Sequence, residues 1–160
     1  MGTKYIGTQE EILSLNSYIT LLRASDTISY HLNSQLNKNK LTLSQFGVLE
    51  SLYHLGPMCQ KAISTKILKS TANITTVIDN LEKRDLVKRV RQEDDRRYIT
   101  VHLTDTGSEL IAEILPGHLS EIFKIMNTLT NSEKEILYNL CKKLGTSSLI
   151  SEKEEKIKLN

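Results

Sequence analysis

The run Gln60-Lys61-Ala62-Ile63-Ser64-Thr65-Lys66-Ile67-Leu68 and, after Lys69, the run Ser70-Thr71-Ala72-Asn73-Ile74-Thr75-Thr76-Val77-Ile78-Asp79-Asn80-Leu81 decide the fold. In the first, Ile63 and Ile67 stand four apart with polar residues between them, the spacing of one helix face. In the second, Ser70 is placed to cap a helix by accepting from a first-turn amide, and Ile74, Val77, Ile78 and Leu81 form an i, i+3, i+4, i+7 stripe that needs a core to cover it. The opposite face is short and polar: Thr71, Asn73, Thr75, Thr76 and Asn80. Small hydroxyls and amides, in place of long Glu/Lys pairs, suit close approach to DNA base edges and phosphates; a solvated face is the alternative reading.

Outward from the second helix, Lys83-Arg84 closes it and Asp85 falls where the chain must turn, in a left-handed conformation that Asp tolerates less well than Gly. Leu86 to Arg91 then reads as a strand, Gln92-Glu93-Asp94-Asp95-Arg96 as a polar tip, and Arg97-Tyr98-Ile99-Thr100-Val101-His102-Leu103 as the returning strand, with Ile99, Val101 and Leu103 alternating against more polar neighbours. The tip carries Arg96 and Arg97 beside Asp94 and Asp95. Arginine suits a narrow minor groove, where the negative potential is strongest, and a carboxylate two residues earlier can aim it through a charge-assisted pair. Two short helices followed by such a hairpin read as a winged helix-turn-helix.

These residues resemble the MarR family of bacterial winged-helix transcription regulators. The resemblance is carried by Leu41-Thr42-Leu43-Ser44-Gln45-Phe46-Gly47-Val48-Leu49, Gly56-Pro57-Met58-Cys59-Gln60-Lys61, Asn80-Leu81-Glu82-Lys83-Arg84-Asp85-Leu86-Val87, Asp95-Arg96-Arg97 and Val101-His102-Leu103-Thr104-Asp105-Thr106-Gly107, all in the family's order. It implies that Arg97 enters the minor groove while Asp95 orients it. It further implies a homodimer with interleaved termini, and a small aromatic or phenolic effector bound between the dimer helices and the winged domain. Two departures stand out: Asp85 where the family usually has Gly, and Cys59 at a helix start where Ser or Thr is common.

With 160 residues, the chain suffices for one domain with a sizeable core and is short for two. No apolar run approaches the ~20 residues of a membrane span, and no secretory pattern precedes Tyr5, so a cytoplasmic protein is expected. The net charge of +2 divides unevenly, because residues 58–103 hold ten basic and six acidic residues, a balance of +4, and the remainder −2. Positive charge is concentrated where phosphates would lie, with Lys61, Lys66, Lys69, Lys88 and Arg89 each able to hold one or to be ordinary surface.

The flanks read as helices. From Thr8 to Leu36 there is no Gly or Pro, and Ile12, Leu15, Ile19, Leu22, Ile28, Leu32 and Leu36 make a stripe too extensive for one small winged domain to cover. Asn37-Lys38-Asn39-Lys40 is a polar loop, and Thr42 with Gln45 is a capping box opening a helix with Phe46, Leu49, Leu52 and Tyr53 as its core face, stopped by Gly56-Pro57. Thr104 starts another helix that Pro116-Gly117 should kink or break. Its pattern resumes at Leu119, Ile122, Phe123 and Met126. Thr130 and Glu133 form a further capping box ahead of Ile136, Leu137, Leu140 and Leu144, and Gly145 ends that helix. The expected fold is mainly α with a small β-hairpin wing. It forms one domain over residues 1–145, with dimerisation helices at about 8–36 and 104–145, a winged helix-turn-helix at about 42–103, and a flexible tail over 146–160.

The expected function is that of a homodimeric, sequence-specific regulator of double-stranded DNA, a repressor of palindromic operators relieved by a small ligand or by thiol modification. The expected DNA contacts are Lys69, Ser70, Thr71, Asn73, Thr75, Thr76, Arg96 and Arg97, with Asp95 as wing support. Cys59, at a helix N-terminus near Lys61, reads as a thiol sensor or as a small residue filling a cap position. Cys141 reads as core or dimer-interface packing, and two cysteines so far apart suggest neither a disulfide framework nor a zinc site. His118 and Glu121, three apart on a helix, read as a solvated pair, and His31, His54, His102 and His118 form no metal pattern. No catalytic residue or cofactor is expected, since nothing resembles a nucleophile with its base or a phosphate-cradling glycine loop. The alternative to a DNA regulator is a winged-helix module for protein contacts alone, which would not need Arg97 at a polar tip.

Overall fold

Thr8 opens the longest helix, α1 (Gln9–Leu36), with its hydroxyl accepting from the Glu11 amide while the Glu11 carboxylate accepts from the Thr8 amide at 2.8 Å. The computed structural model describes residues 2–67, 70–91 and 99–147, with Thr71 described by its backbone alone. After α1 come a short 3-10 turn (Asn37–Asn39) where the sequence suggested only loop, then α2 (Leu43–Leu55), strand β1 (Met58–Cys59), α3 (Gln60–Lys66), α4 (Thr71–Glu82), β2 (Val87–Arg91), β3 (Ile99–Leu103), α5 (Asp105–Met126) and α6 (Asn131–Gly145). The described residues fall into two compact units, Met1–Glu121 and Ile122–Asn160, the division lying within α5. None of the described helices is long and apolar enough to cross a membrane.

Local chemistry sets the element ends. Thr42 and Gln45 close the expected capping box on α2, and Thr130 and Glu133 do the same on α6, each supplying partners for amides that the first helical turn leaves open. Asp85 has φ 55°, the expected left-handed turn. It completes a Schellman arrangement, in which the Leu86 amide donates to the Leu81 carbonyl at 3.0 Å and the Asp85 amide to Glu82 at 2.9 Å. Lys40, at φ 54°, repeats the device after the 3-10 turn. Arg84 ties the two turns together, its guanidinium donating to the carbonyls of Lys40 at 2.6 Å and Asn39 at 3.2 Å.

The sheet has the order β1-β3-β2, all antiparallel, with Met58 opposite Val101 and Arg89 also opposite Val101 from the other side. The two-residue strand β1 was not legible in the sequence, because two residues cannot display an alternating pattern. Within β3 only Val101 is fully buried, and Ile99 is 37% exposed near the strand's start, so the inward face is shorter than the alternation suggested.

The core lies in the first unit. Leu36 and Leu41, Phe46, Val48, Leu49 and Leu52 of α2, Ile63 of α3, Ile74, Ile78 and Leu81 of α4, Leu86, Val87 and Val101 of the wing, and Ile111 of α5 form one cluster. Two expectations are corrected here. Tyr53 is 42% exposed, and Val48 is fully buried in the core cluster on α2 instead. Helix α5 runs through Pro116 without a break, since a proline removes one amide donor and the flanking turns retain theirs. Cys141, read as core or dimer-interface packing, is exposed and outside the core, which leaves the interface reading untouched. The tail proposed for 146–160 lies outside the described residues beyond Ser147.

Candidate nucleic-acid interface

Helix α4 is held from beneath and open above. Ile74, Ile78 and Leu81 are each 0% exposed, and the helix packs on α2, α3 and β2. Ser70 occupies the N-cap and its Oγ accepts from the Asn73 amide at 3.3 Å. Asn73, Thr75, Thr76 and Asn80 are exposed on the far side, as the periodicity required. Gln60 at the start of α3 donates through Nε2 to Thr75 Oγ1, which fixes the orientation of the two helices at the open face. The geometry therefore presents a rigid row of short polar side chains on a helix anchored by three fully buried ones.

The cations around this face divide into two groups. Lys61, Lys66, Lys83, Lys88 and Arg91 are exposed. Arg89, which the sequence left open as a phosphate contact or ordinary surface, is ion-paired: its guanidinium donates to Asp79 Oδ1 at 2.6 Å and Glu82 Oε2 at 2.5 Å, and its amide to Glu82 Oε1 at 3.0 Å. Burial opposes its charge, and the bonds to the two carboxylates outweigh that cost and raise its pKa. In the sequence Asp79 and Glu82 entered only the charge balance; their i, i+3 spacing, read together with a cation two residues into the following strand, was the available signal. Lys69, Asp95, Arg96 and Arg97, and the side chain of Thr71, lie outside the described residues.

Cys59 is the N-cap of α3 but its side chain makes no capping hydrogen bond, and it is half-buried beside β3. Among the described residues no group of three or more His, Cys, Asp or Glu is placed to hold a metal ion. His118 and Glu121 do not form a solvated pair: Glu121 meets His31 at 3.2 Å, whereas His118 is 4% exposed with its ring centroid 4.1 Å from that of Phe46. The reason is helical phase, which turns His118 towards α2 and Glu121 towards α1.

A cavity of about 640 Å³ opens between α1, α2 and α5, lined among others by Ser29, Asn33, Phe46, Glu50, Ile67 and His118. Burial pushes the His118 imidazole below its ordinary pKa, against a smaller opposing pull from the Glu50 carboxylate, so it is neutral at pH 7. An imidazole with a lowered folded-state pKa binds fewer protons than in the unfolded chain. Its contribution to stability is therefore complete above the unfolded value of about 6.5 and is lost as pH falls below it. Thermal unfolding from pH 7.5 to pH 5 should show a drop in Tm that is smaller in His118→Gln; an identical pH profile in both proteins would refute this role for the imidazole.

The model of the MarR family matches residues 41–99. The transcriptional regulator MhqR of Bacillus subtilis is 35% identical over 135 residues, which cover 84% of this chain and 93% of that protein. Among solved structures, BpsR of Bordetella bronchiseptica, whose DNA binding is regulated by 6-hydroxynicotinic acid, superposes with a TM-score of 0.74 at 25% identity over 81% of this chain and 92% of its own. The MarR family regulator Sco3205 of Streptomyces coelicolor, solved in complex with DNA, gives a TM-score of 0.78 at 22% identity over 91% and 94% of the two chains.

Proposed function

This chain belongs to the MarR family of winged-helix transcription regulators, and from that premise we propose that it is a homodimeric repressor of a palindromic operator, released by a small uncharged aromatic ligand. It is a DNA-binding regulator and not an enzyme, as its relatives are regulators. The observation that carries the reading is α4: an exposed row of Asn73, Thr75, Thr76 and Asn80 on a helix whose other side is completely buried. Such a helix enters a major groove without long side chains holding it off. Thr71, Asn73, Thr75 and Thr76 are assigned to base edges and phosphates, Ser70, Lys69 and Arg96 to phosphates, and Arg97, aimed by Asp95, to the minor groove.

Residues 1–145 act as one domain in this reading, the winged helix-turn-helix at 42–103 flanked by dimerisation helices at 8–36 and 104–145. Helix α1 exposes Leu13, Tyr18, Leu21, Leu22 and Tyr30, and α6 exposes Ile136, Leu137, Tyr138, Leu140 and Leu144. Apolar residues on this scale are covered by a second copy, which also sets two reading helices about one DNA turn, roughly 34 Å, apart. Repression follows because occupancy of a promoter is sufficient, whereas activation needs polymerase contacts.

Release is assigned to the cavity beside Phe46 and His118. Among its described lining residues there is no Lys or Arg, and Glu50 is present, so an aromatic carboxylate would meet repulsion while a phenol finds hydroxyl, amide and imidazole partners. A ligand there bears on α1, α2 and α5 together, and so on the separation of the two reading helices. A built cavity favours this route over modification of the half-buried Cys59.

The test is selection of duplexes from a random pool, followed by anisotropy across a salt series and sedimentation of wild type and Leu140→Glu. The reading expects a two-fold-symmetric site, affinity falling with slope about −0.9 per neutralised phosphate on a log–log plot, a dimeric wild type, and a monomeric, weakly binding Leu140→Glu. No enriched sequence, with a monomeric wild type, would leave a protein-contact module as the better reading.

A further inference from the structure

Asp79 stands one helical turn beyond Thr75 and Thr76 on α4, half-buried against β2, and Glu82, exposed, stands three residues further on. Two carboxylates in that position are unfavourable neighbours for a phosphate backbone, since like charges on adjacent turns of one face repel an approaching anion directly. Their side chains are 45% and 39% exposed. The Arg89 side chain, itself only 24% exposed, crosses from β2 and divides its guanidinium between them, while its own amide binds Glu82.

We propose that Arg89 is a positioning residue for DNA reading: it masks the carboxylates of Asp79 and Glu82 on the recognition helix and locks that helix to the base of the wing, without itself touching phosphate. The inference rests on the DNA-binding reading above and adds to it a residue that the sequence left open as a phosphate contact or ordinary surface. Three bonds from one residue to two positions one helical turn apart hold α4 against both sliding and rotation relative to β2. Thr75 is held on its other side by Gln60 of α3. Solvent-exposed ion pairs contribute little to folding free energy, so loss of the clamp is expressed in DNA binding and leaves the fold nearly intact.

The experiment measures operator affinity against salt for wild type, Arg89→Gln, Arg89→Lys, and Arg89→Gln combined with Asp79→Asn and Glu82→Gln, with a thermal melt of each. Arg89→Gln is expected to weaken operator binding about tenfold or more with its Tm and salt slope close to wild type. Arg89→Lys, which keeps the charge and loses the fork, falls between them. The triple variant regains most of the lost affinity because the unmasked carboxylates are gone. If Arg89 were a phosphate ligand, Arg89→Gln would flatten the salt slope by about 0.9 per protomer and the triple variant would recover nothing; that result overturns the proposal, as does an Arg89→Gln protein that binds like wild type. A wild type that selects no operator overturns the regulator reading itself, a failure visible before any variant is compared.

Discussion

Gly107→Ala is expected to lose about 3 kcal/mol of stability or more, among the largest effects of a single methyl group anywhere in the chain. Gly107 is buried in the first turn of α5, and a Cβ built on it would lie 1.9 Å from the Leu86 carbonyl oxygen, 2.9 Å from the Leu86 carbonyl carbon and 3.2 Å from Leu103 Cδ2. The nearest obstacle is backbone, which cannot swing away as a side chain would. Nor can the segment retreat, because it is bonded on both sides: Thr104 Oγ1 donates to the Asp85 carbonyl at 2.6 Å and accepts from the Gly107 amide at 3.0 Å, and the Thr104 amide donates to Leu86 at 3.2 Å. Urea unfolding of the two proteins measures the effect. A loss below about 1 kcal/mol would mean that the contact between the start of the wing and the start of α5 is not the close one described.

Ile78→Ala is the second large effect, expected at about 2–5 kcal/mol. Ile78 is 0% exposed and shares its cluster with Phe46, Leu49 and Leu52 of α2, Val101 of β3 and Ile111 of α5. Truncation removes the transfer free energy of the lost carbons and leaves a cavity under the middle of the reading helix, where α2 and the sheet fix the surroundings on two sides. Operator affinity should fall as well, since α4 would sit less firmly. The contrast is Tyr53→Ala: with 42% of Tyr53 exposed on the outer side of α2, its cost should be far smaller. Equal costs for the two substitutions, measured by urea unfolding, would contradict the assigned core.

Much of this fold is legible residue by residue. Thr42 and Thr130 each announce a helix through a Gln or Glu three positions on, and both capping boxes form, as does one at Thr8 with Glu11 that the apolar stripe alone did not disclose. The stripe Ile74, Ile78 and Leu81 specifies which side of α4 is buried, and therefore which side can read DNA. Asp85 takes the left-handed turn usually given to Gly because the Schellman bonds on both sides of it compensate. What could not be read depends on contacts remote in sequence or on patterns too short to show. β1 exists because β3 offers it a partner. His118 is buried because Phe46 lies across from it, 72 positions away in sequence. Arg89 looks like any surface cation until the chain folds Asp79 and Glu82 against it. Long-range pairing, rather than local propensity, settled each of these.

The central claim is that the exposed row on α4 reads base identity. The most direct measurement is anisotropy of wild type and of an Asn73→Ala, Thr76→Ala double variant, each on the selected operator and on a scrambled duplex of equal length. Both residues are exposed and outside the core, so folding should be unaffected. The account predicts that the double variant loses about tenfold or more on the operator while its weak, salt-dependent binding to the scrambled duplex stays as in wild type. Equal losses on both duplexes would make these residues backbone contacts only, and no loss on either would contradict the assignment of α4 as the reading helix.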